Sequence, residues 1–202
     1  STSVAETPDT LWTRTFGGAG IDEALSVCLI ADGGYVLAGF TGSFGSGSAD
    51  FWLVRTDSEG DSVWSHTYGG VNADACLSAC QTMDGGFALA GYTWSSVVSR
   101  YDFMIVKTDS QGDSMWSRRY GGGNDEYCWS AQQTADGGYV LAGNTNSVGA
   151  GGTDFWLLRT DVSGDSLWSR TFGGSGDDRC QSVRQTSDGG YNGIIVNTNK
   201  TI

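Results

Sequence analysis

The chain has 202 residues, of which 39% are apolar, and this length is sufficient for one substantial core without a second domain. Its 32 glycines, eight tryptophans and single proline indicate an ordered protein with many tight turns, because disordered segments are usually poor in aromatic residues. A net charge of −12 would repel phosphate backbones and anionic membranes. We therefore expect no nucleic-acid partner.

The sequence has no apolar run near the roughly 18 residues that a membrane-spanning helix requires. We expect no membrane insertion. It begins STSVAETPD, with neither an initiator Met nor an apolar signal region. This start is interpreted as that of a soluble mature chain or an excised piece from which any export signal has been removed.

An internal repeat of 52 residues dominates the sequence and is unbroken by insertions, which makes it the main evidence for the fold. Three sets of residues recur with this period: Trp12, Trp64, Trp116 and Trp168; Tyr35, Phe87, Tyr139 and Tyr191; and Asp50, Asp102 and Asp154. One repeat reads ALSVCLIA, DGG, YVLAGFT, GSFGSGSAD, FWLVRT, DSEGD and SVWSHTYGG. The short apolar runs between Asp, Gly and Ser clusters predict four strands per repeat, and no segment has a helical period.

In chain order, residues 1–19 align with the end of a repeat and predict a stub of its third strand and a full fourth strand. Complete repeats follow at 20–71, 72–123 and 124–175, each with two tight hairpins at DGG and at the DSEGD-type turn. Residues 176–202 supply two further strands. The two longer loops of each repeat must lie at the same end of the molecule, because the strands are antiparallel.

Four antiparallel strands per repeat of this length are typical of a β-propeller blade. We predict an all-β, single-domain propeller with four four-stranded blades. Residues 1–19 and 176–202 would close the last blade. Two alternatives are part of a seven- or eight-bladed ring and an open half that completes itself by dimerising. A right-handed β-solenoid ranks lower, because the hairpins require antiparallel strands.

The segments WSRTFGGSGDD, SVRQTSDGGY and YVLAGFTGSFGSGSADFWLVRTDSEGDSVW closely resemble the Gly- and Asp-rich β-propeller repeats of secreted bacterial and archaeal proteins. The resemblance covers essentially the whole chain, and a more distant one relates the repeats to Kelch blades. It implies an extracellular or cell-surface location and a role as an interaction scaffold. It implies no catalytic residue, and those repeats more often occur in longer arrays.

Catalytic candidates are few. The single histidine, His66, lies on a predicted outer strand, where a base is poorly placed for a nucleophile–His–acid triad. Carboxylate pairs could support glycosidase-type chemistry, yet they recur in every loop without one site standing out. We expect no enzymatic activity, and a carboxylate-dependent hydrolase is the alternative.

The five cysteines all lie on the predicted first strands, where packing against the next blade is the favoured interpretation. They occupy two repeat positions, with Cys76, Cys128 and Cys180 at one and Cys28 and Cys80 at the other. They lack the close spacing of a metal site. A disulfide between neighbouring strands remains open, although an odd count leaves at least one thiol unpaired.

No cofactor is expected. The DSEGD, DSQGD and DVSGD turns are too short for an EF-hand, so Asp is expected to stabilise the hairpins, and calcium binding is a weak possibility. GSFGSGSAD lacks the Lys and the helix of a phosphate-binding loop. The sequence assigns no residue to a metal site.

The end that carries the two longer loops is the predicted functional surface. It gathers many carboxylates, which could bind a cation, a basic partner or the hydroxyls of a glycan, or could cap loop amides and keep the surface soluble. The acidic candidates are Asp22, Glu23, Asp74, Asp125, Glu126, Asp177 and Asp178 from one set of loops, and Asp50, Asp102 and Asp154 from the other.

Trp94 and Tyr101 are the aromatic ligand-contact candidates, because both break the repeat pattern in a loop. The first repeat has Gly42 and Ala49 at these positions. The four tryptophans that recur in every repeat are instead assigned to packing. Together these features predict a non-catalytic extracellular binding or scaffold protein that recognises a glycan or a protein. Self-association is possible, and a self-assembling surface protein is a further alternative.

Overall fold

The computed structural model describes residues 10–197, with the backbone alone for 195–197, and its regular secondary structure consists of β-strands. The strands are β1 (Asp22–Leu29), β2 (Tyr35–Thr41), β3 (Asp50–Thr56), β4 (Ser62–Tyr68), β5 (Asp74–Gln81), β6 (Phe87–Ser95), β7 (Arg100–Thr108), β8 (Ser114–Tyr120), β9 (Glu126–Gln133), β10 (Tyr139–Thr145), β11 (Asp154–Thr160), β12 (Ser166–Phe172), β13 (Asp178–Gln185) and β14 (Tyr191–Asn197). The predicted all-β class is confirmed.

The strands form four antiparallel sheets in chain order: sheet 1 (β1–β4), sheet 2 (β5–β8), sheet 3 (β9–β12) and sheet 4 (β13 and β14). The predicted four strands per repeat are therefore found in three of the sheets. Each strand pairs with its successor, because each connection within a sheet is short enough to reverse the chain directly. Asp57 stabilises the turn after β3, since its Oδ1 accepts hydrogen bonds of 2.9 Å from the Glu59 and Asp61 amides.

Consecutive sheets pack face to face and bury three apolar clusters. Between sheets 1 and 2, Phe51 and Leu53 pack against Leu89 and Val106 of the following sheet. Equivalent clusters join sheet 2 to sheet 3 and sheet 3 to sheet 4. The buried cysteines at these junctions are Cys76, Cys128 and Cys180, each fully enclosed. The prediction that they pack against a neighbouring sheet is confirmed.

The first strands of consecutive sheets lie side by side and are joined by serine hydroxyls. Each first strand carries a bulge just before a serine, for example between Ala24 and Ser26. The Ser26 hydroxyl accepts a 3.2 Å hydrogen bond from the Ala79 amide, and the Ser78 hydroxyl does the same for Ala131. The serine that follows each bulge therefore links its sheet to the next one.

The four tryptophans that recur in every repeat pack against neighbouring aromatic residues, as predicted. Each lies with its indole against the first aromatic residue of the second strand in the following sheet, at centroid distances of 5.6 to 5.9 Å; the pairs are Trp12–Tyr35, Trp64–Phe87, Trp116–Tyr139 and Trp168–Tyr191. Trp12 thus occupies the place, relative to sheet 1, that Trp64 occupies relative to sheet 2.

The predicted closure of the last blade is not formed within residues 10–197, and it stays a prediction. Residues 10–19 form no strand, and no described strand pairs with the outer edge of β14. A fourth strand such as β4 bonds only to the third strand of its sheet. Among the described residues there is no third strand between residues 10–19 and β14, so residues 10–19 have nothing to bond to. The predicted stub at 1–9 lies outside the described residues.

No sheet formed by residues 10–197 covers the outward face of sheet 1. This face forms a groove of about 170 Å³ lined by Leu37, Trp52 and Val54, with Arg14 and Phe16 at its side. At the equivalent place in the next two sheets, Leu89 and Leu141 are fully buried. The same leucine of the repeat is thus buried between two sheets in sheets 2 and 3 and partly exposed in sheet 1.

We expect Leu89→Ala and Leu141→Ala each to lower the free energy of unfolding by about 2–5 kcal/mol, because each leaves a cavity between two sheets. Leu37→Ala is the matched control. It should cost no more than about half as much, since Leu37 is only half-buried and water can reach the vacated volume. Urea denaturation of the three variants makes the comparison, and equal losses at all three positions would contradict it.

Candidate functional site

The two longer loops of each repeat meet at one end of the molecule, as predicted. The loop after β2 and the loop after β4 are joined by a parallel bridge between Ala49 and Ala73. The Asp74 amide donates a 2.8 Å hydrogen bond to the Ala49 carbonyl, and Asp178 repeats the contact with Thr153 at 2.6 Å. These bonds fix the spacing of the sheets at this end.

The carboxylates that open the first strands hold the loops before them. Asp22 accepts hydrogen bonds from the Gly18 amide at 2.8 Å and from the Thr41 and Ser43 hydroxyls at 2.5 and 2.6 Å. Asp74, Glu126 and Asp178 each accept one from a glycine amide four residues earlier, at 2.8 to 2.9 Å: Gly70, Gly122 and Gly174. These four carboxylates therefore fix the loops that precede the first strands.

The carboxylates that open the third strands act in the same way. Asp50 accepts hydrogen bonds from the Ser46 and Gly47 amides at 2.8 and 3.2 Å, and Asp154 accepts one from Ala150 at 2.9 Å. Asp50 and Asp154 are both almost fully buried. Asp102 differs in being only half-buried.

Two carboxylates approach each other at every junction, on either side of a glycine. A Cβ at Gly69 would lie 2.3 Å from Asp50 Oδ1 and 2.4 Å from Asp74 Oδ2, so only glycine fits there. Burial raises the pKa of Asp74, and the negative charge of Asp50 adds to the effect. Burial and the charge of Glu126 likewise raise the pKa of Asp102.

No group of three or more His, Cys, Asp or Glu side chains among residues 10–197 is arranged to hold a metal ion. Six of the ten predicted acidic ligands hold loops in this way, while Asp102 lies opposite Glu126 at Gly121. The six are Asp22, Asp50, Asp74, Glu126, Asp154 and Asp178. Their ligand role stays a prediction, and capping of the loop amides accounts for the carboxylate bonds described here.

The remaining acidic candidates lie nearer to solvent. Glu23 is exposed, while Asp125 and Asp177 are half-buried and line a polar groove of about 410 Å³ together with Arg100, Asn124, Asn146, Thr153 and two glycines. Asp125 accepts a 3.0 Å hydrogen bond from the Tyr101 amide, and Asp177 accepts one of the same length from Thr153. The groove therefore lies between the loops of sheets 2, 3 and 4.

Five aromatic side chains form a cluster beside this groove, which we call the aromatic cluster: Tyr92, Trp94, Tyr101, Tyr127 and Trp129. Tyr101 is at its centre, with ring centroids 4.9 Å from Trp94, 5.0 Å from Tyr92 and 5.5 Å from Tyr127. Trp129 extends the cluster from Tyr127 at 6.3 Å. The two predicted aromatic candidates, Trp94 and Tyr101, are thus brought together.

Within residues 10–197 the cluster is found only at the junction of sheets 2 and 3, because the other sheets have no aromatic residue at four of its five positions. At the fifth position sheet 1 has Phe40 in place of Tyr92. Asn144 and Asn146 stand in sheet 3 where Tyr92 and Trp94 stand in sheet 2. Tyr127 corresponds to Glu23, Ala75 and Arg179 in the other sheets. Sequence reasoning missed Tyr92, Tyr127 and Trp129, although departure from the 52-residue pattern was the signal that found their two neighbours.

The phenols of this cluster remain available as hydrogen-bond donors. Burial raises the pKa of Tyr127 to about 12, with the charge of Asp125 as the next cause, and burial also raises the pKa of Tyr92. Within residues 10–197, the hydroxyls of Tyr92, Tyr101 and Tyr127 have no hydrogen-bond partner. Three hydroxyls without a hydrogen-bond partner in the described part of the chain therefore lie beside a groove that carries carboxylates.

Trp129 is held in place by its neighbour. Its indole Nε1 donates a 2.5 Å hydrogen bond to Asn144 Oδ1, and its side chain is about one-third exposed. Trp129 is the extra residue of the bulge in β9, between Cys128 and Ser130. A bulge redirects a side chain relative to the strand, which places this indole where a regular strand would not.

Comparison with known proteins adds little to this geometry. No family model matches the chain, and no curated protein matches it. A crystal structure of a protein of unknown function from Bacteroides caccae is similar, with a TM-score of 0.49 and 15% identity over 78% of this chain. The chain spans about half of that protein, 49%. In the described part of the chain, no helix could cross a membrane.

The Asp22 contacts generate a prediction about pH. Hydrogen bonds from Ser43, Thr41 and the Gly18 amide favour the ionised carboxylate and lower the pKa of Asp22 to about 2. Because the pKa of Asp22 is lower in the folded state, its hydrogen bonds stabilise the fold fully at a pH above the unfolded pKa of about 3.9. This contribution to the free energy of unfolding is lost as the pH falls toward 2. Ser43→Ala should raise the Asp22 pKa, as measured by NMR titration.

Ser147 provides the control for this titration, because it occupies the same repeat position in sheet 3, beside Glu126. Its hydroxyl accepts a hydrogen bond from the Asn124 amide. Ser147→Ala should therefore leave the Asp22 pKa unchanged. An Asp22 pKa near 4 in the unmodified protein would show that these contacts do not hold the carboxylate in solution.

Proposed function

We propose that this chain is a non-catalytic binding protein that recognises a glycan at the aromatic cluster and the neighbouring polar groove. The observation that carries the proposal is the clustering of five partly exposed aromatic rings at the junction of sheets 2 and 3 and at no other junction within residues 10–197. A repeat that serves packing alone has no reason to differ there. The difference supports a role that only one junction performs.

The chemistry of the groove matches a carbohydrate. Aromatic rings offer apolar faces on which the C–H faces of a sugar ring can stack, and the free phenols of Tyr92, Tyr101 and Tyr127 can donate to its oxygens. Asp125 can accept a hydrogen bond from a sugar hydroxyl with the carboxylate oxygen that does not accept from the Tyr101 amide. A mixture of ring faces, donors and acceptors is what recognition of a neutral polyol requires.

Binding is favoured over hydrolysis by the state of the carboxylates. A glycosidase needs one carboxylic acid and one carboxylate that both face the scissile bond. Here the buried members of the pairs, such as Asp50 and Asp74, accept hydrogen bonds from loop amides and lie against a glycine. Such carboxylates are committed to the loops and are poorly placed to reach a substrate.

The proposal includes the architecture and the location. The stacked four-stranded sheets are proposed to be blades of a β-propeller, in which the first strands line the axis and the loop end carries the binding groove. The resemblance to repeats of secreted proteins supports an extracellular or cell-surface location. Ring closure and the number of blades in the native assembly belong to the same proposal.

A glycan array of neutral and acidic oligosaccharides, followed by calorimetry on the best ligand, tests the function. Tyr101→Ala should weaken binding by about tenfold or more, because it removes the ring on which the cluster is centred. Trp94→Ala should weaken binding less, since it removes an outer ring. Circular dichroism of each variant checks that the fold is retained.

Phe44→Ala is the matched control for these variants. Phe44 is an exposed aromatic residue in the same loop of sheet 1, where it contacts Trp52 at 5.7 Å. Its removal should change the affinity by less than about twofold. Absence of any glycan ligand, or equal effects at Phe44 and Tyr101, would contradict the proposal. Capture of a protein through Tyr101 would assign the cluster to a protein partner.

A further inference from the structure

The hairpin of β6 and β7 is longer than its counterparts and lies beside the polar groove. Its strands remain paired through Trp94 with Tyr101 and Ser95 with Arg100. In sheets 1 and 3 the pairing of the second and third strands ends two residues earlier. The extension therefore places Arg100 at the loop end of the molecule, where it lines the polar groove.

The backbone that precedes Arg100 has an unusual conformation. Ser99 has a φ of 53°, and no other non-glycine residue within residues 10–197 has a positive φ. This left-handed region is unfavourable for a residue with a Cβ, and sheets 1 and 3 have Gly47 and Gly151 at the same position. The Ser99 carbonyl accepts a 3.0 Å hydrogen bond from Arg100 Nη1. Strain at Ser99 thus accompanies a contact that holds the guanidinium, and strain of this kind is often found at binding sites.

Arg100 adds a positive charge at a position where the neighbouring repeats have Ser48 and Gly152. Two carboxylates, Asp125 and Asp177, line the same groove. Nevertheless, no ion pair in the described part of the chain joins Arg100 to a carboxylate. The guanidinium is therefore available to a ligand in the groove.

The two carboxylates of the groove have contacts of their own. Asp125 accepts the hydrogen bond from the Tyr101 amide, and Asp177 lies 4.0 Å from Arg179 Nη2 in an ion pair. Their charges are thus partly satisfied within the protein, whereas the charge of Arg100 is not. The chemical group that complements an unpaired guanidinium is an anion, which the ligand must supply.

We propose that Arg100 selects an acidic sugar, a uronate, whose ring lies on the aromatic cluster and whose carboxylate pairs with the guanidinium. This inference rests on the glycan function proposed above and names the class of glycan. The planar fork of N–H donors on a guanidinium matches the two oxygens of a carboxylate. Because the chain has a net charge of −12, it would repel a polyanionic glycan, and an oligosaccharide with a single uronate fits best.

Disaccharides with one terminal glucuronate or galacturonate, each as the free acid and as its methyl ester, are the probes. Esterification removes the negative charge and leaves the ring and its hydroxyls in place. We expect calorimetry to show that a free acid binds about fivefold or more tightly than its methyl ester, because only the acid forms a charge-assisted pair with Arg100. Added salt should reduce this preference, since it screens the two charges.

Arg100→Gln should reduce the ratio of the two affinities to about twofold or less, because the amide can donate a hydrogen bond but carries no charge. Arg100→Lys should retain part of the preference, since the charge remains and the planar fork is lost. Arg170→Gln is the matched control. Arg170 is an exposed arginine of β12 that lies over the Trp168 ring, and its replacement changes the net charge by the same amount. This control should leave the preference for the acid unchanged.

Failure of this inference can be distinguished from failure of the glycan function. Equal binding of acid and ester, or a preference that survives Arg100→Gln, would overturn the role of Arg100. Tighter binding of a sulfated disaccharide than of either uronate would overturn the choice of a carboxylate. Tyr101→Ala should weaken binding of acid and ester by the same factor, because the ring contacts both. If neutral glycans bind through Tyr101 and uronates are not preferred, the glycan function stands and this inference fails, whereas absence of any glycan ligand contradicts both.

Discussion

The packing of one sheet on the next is the interaction on which the rest of this structure depends. Each sheet is apolar on both faces, so it needs a neighbour on each side to bury them. Phe103 and Ile105 of sheet 2 face sheet 3, whereas Met104 and Val106, the alternate residues of the same strand, face sheet 1. A strand buried on both faces loses the alternation of polar and apolar residues, and this is why the third strands read as continuous apolar runs.

This constraint explains both the regularity of the inner sheets and the character of the two ends. Between two sheets, side chains such as Cys76, Leu89 and Leu141 are fully enclosed. Where no neighbouring sheet exists among the described residues, the same positions are open, as Leu37 is in sheet 1 and Ile194 in sheet 4. Each end of the described chain therefore exposes apolar side chains at positions that are buried in the inner sheets.

Much of the fold could be predicted from the sequence, because an unbroken period aligns every strand with its counterparts. The hairpins followed from Asp and Gly at fixed places, and the burial of Cys76, Cys128 and Cys180 followed from their position on one face of the first strands. The strand predicted for residues 10–19 failed for a reason that alignment cannot reveal. A sequence can match a strand pattern, but a strand forms only where another strand supplies its hydrogen bonds.

The site was less accessible to such reasoning. From sequence alone, a carboxylate in a Gly-rich loop can be interpreted equally well as binding a ligand or as capping loop amides. Distances distinguish the two roles, such as those from Asp50 to the Ser46 and Gly47 amides. Broken symmetry was the more useful signal, since Trp94 and Tyr101 were found in this way. Tyr127 and Trp129 carried the same signal but lie on a strand, where a large aromatic residue is expected to serve packing. Only the bulge in β9 and the ring distances reveal that they join the cluster.

The repeat also explains how one junction can change without cost to the fold. The bonds that fix one sheet on the next, such as Ser78 to Ala131, involve the residue after the bulge, and the apolar clusters lie deeper between the sheets. The positions of Tyr92, Trp94, Tyr101 and Tyr127 lie near the loop end, where other sheets have residues as different as Gly, Ala, Asn, Glu and Arg. Residues at these positions can therefore diverge while the period is kept. Packing constrains the residues in the body of each sheet, whereas the side chains at the loop end of a single junction can differ from those of the other junctions.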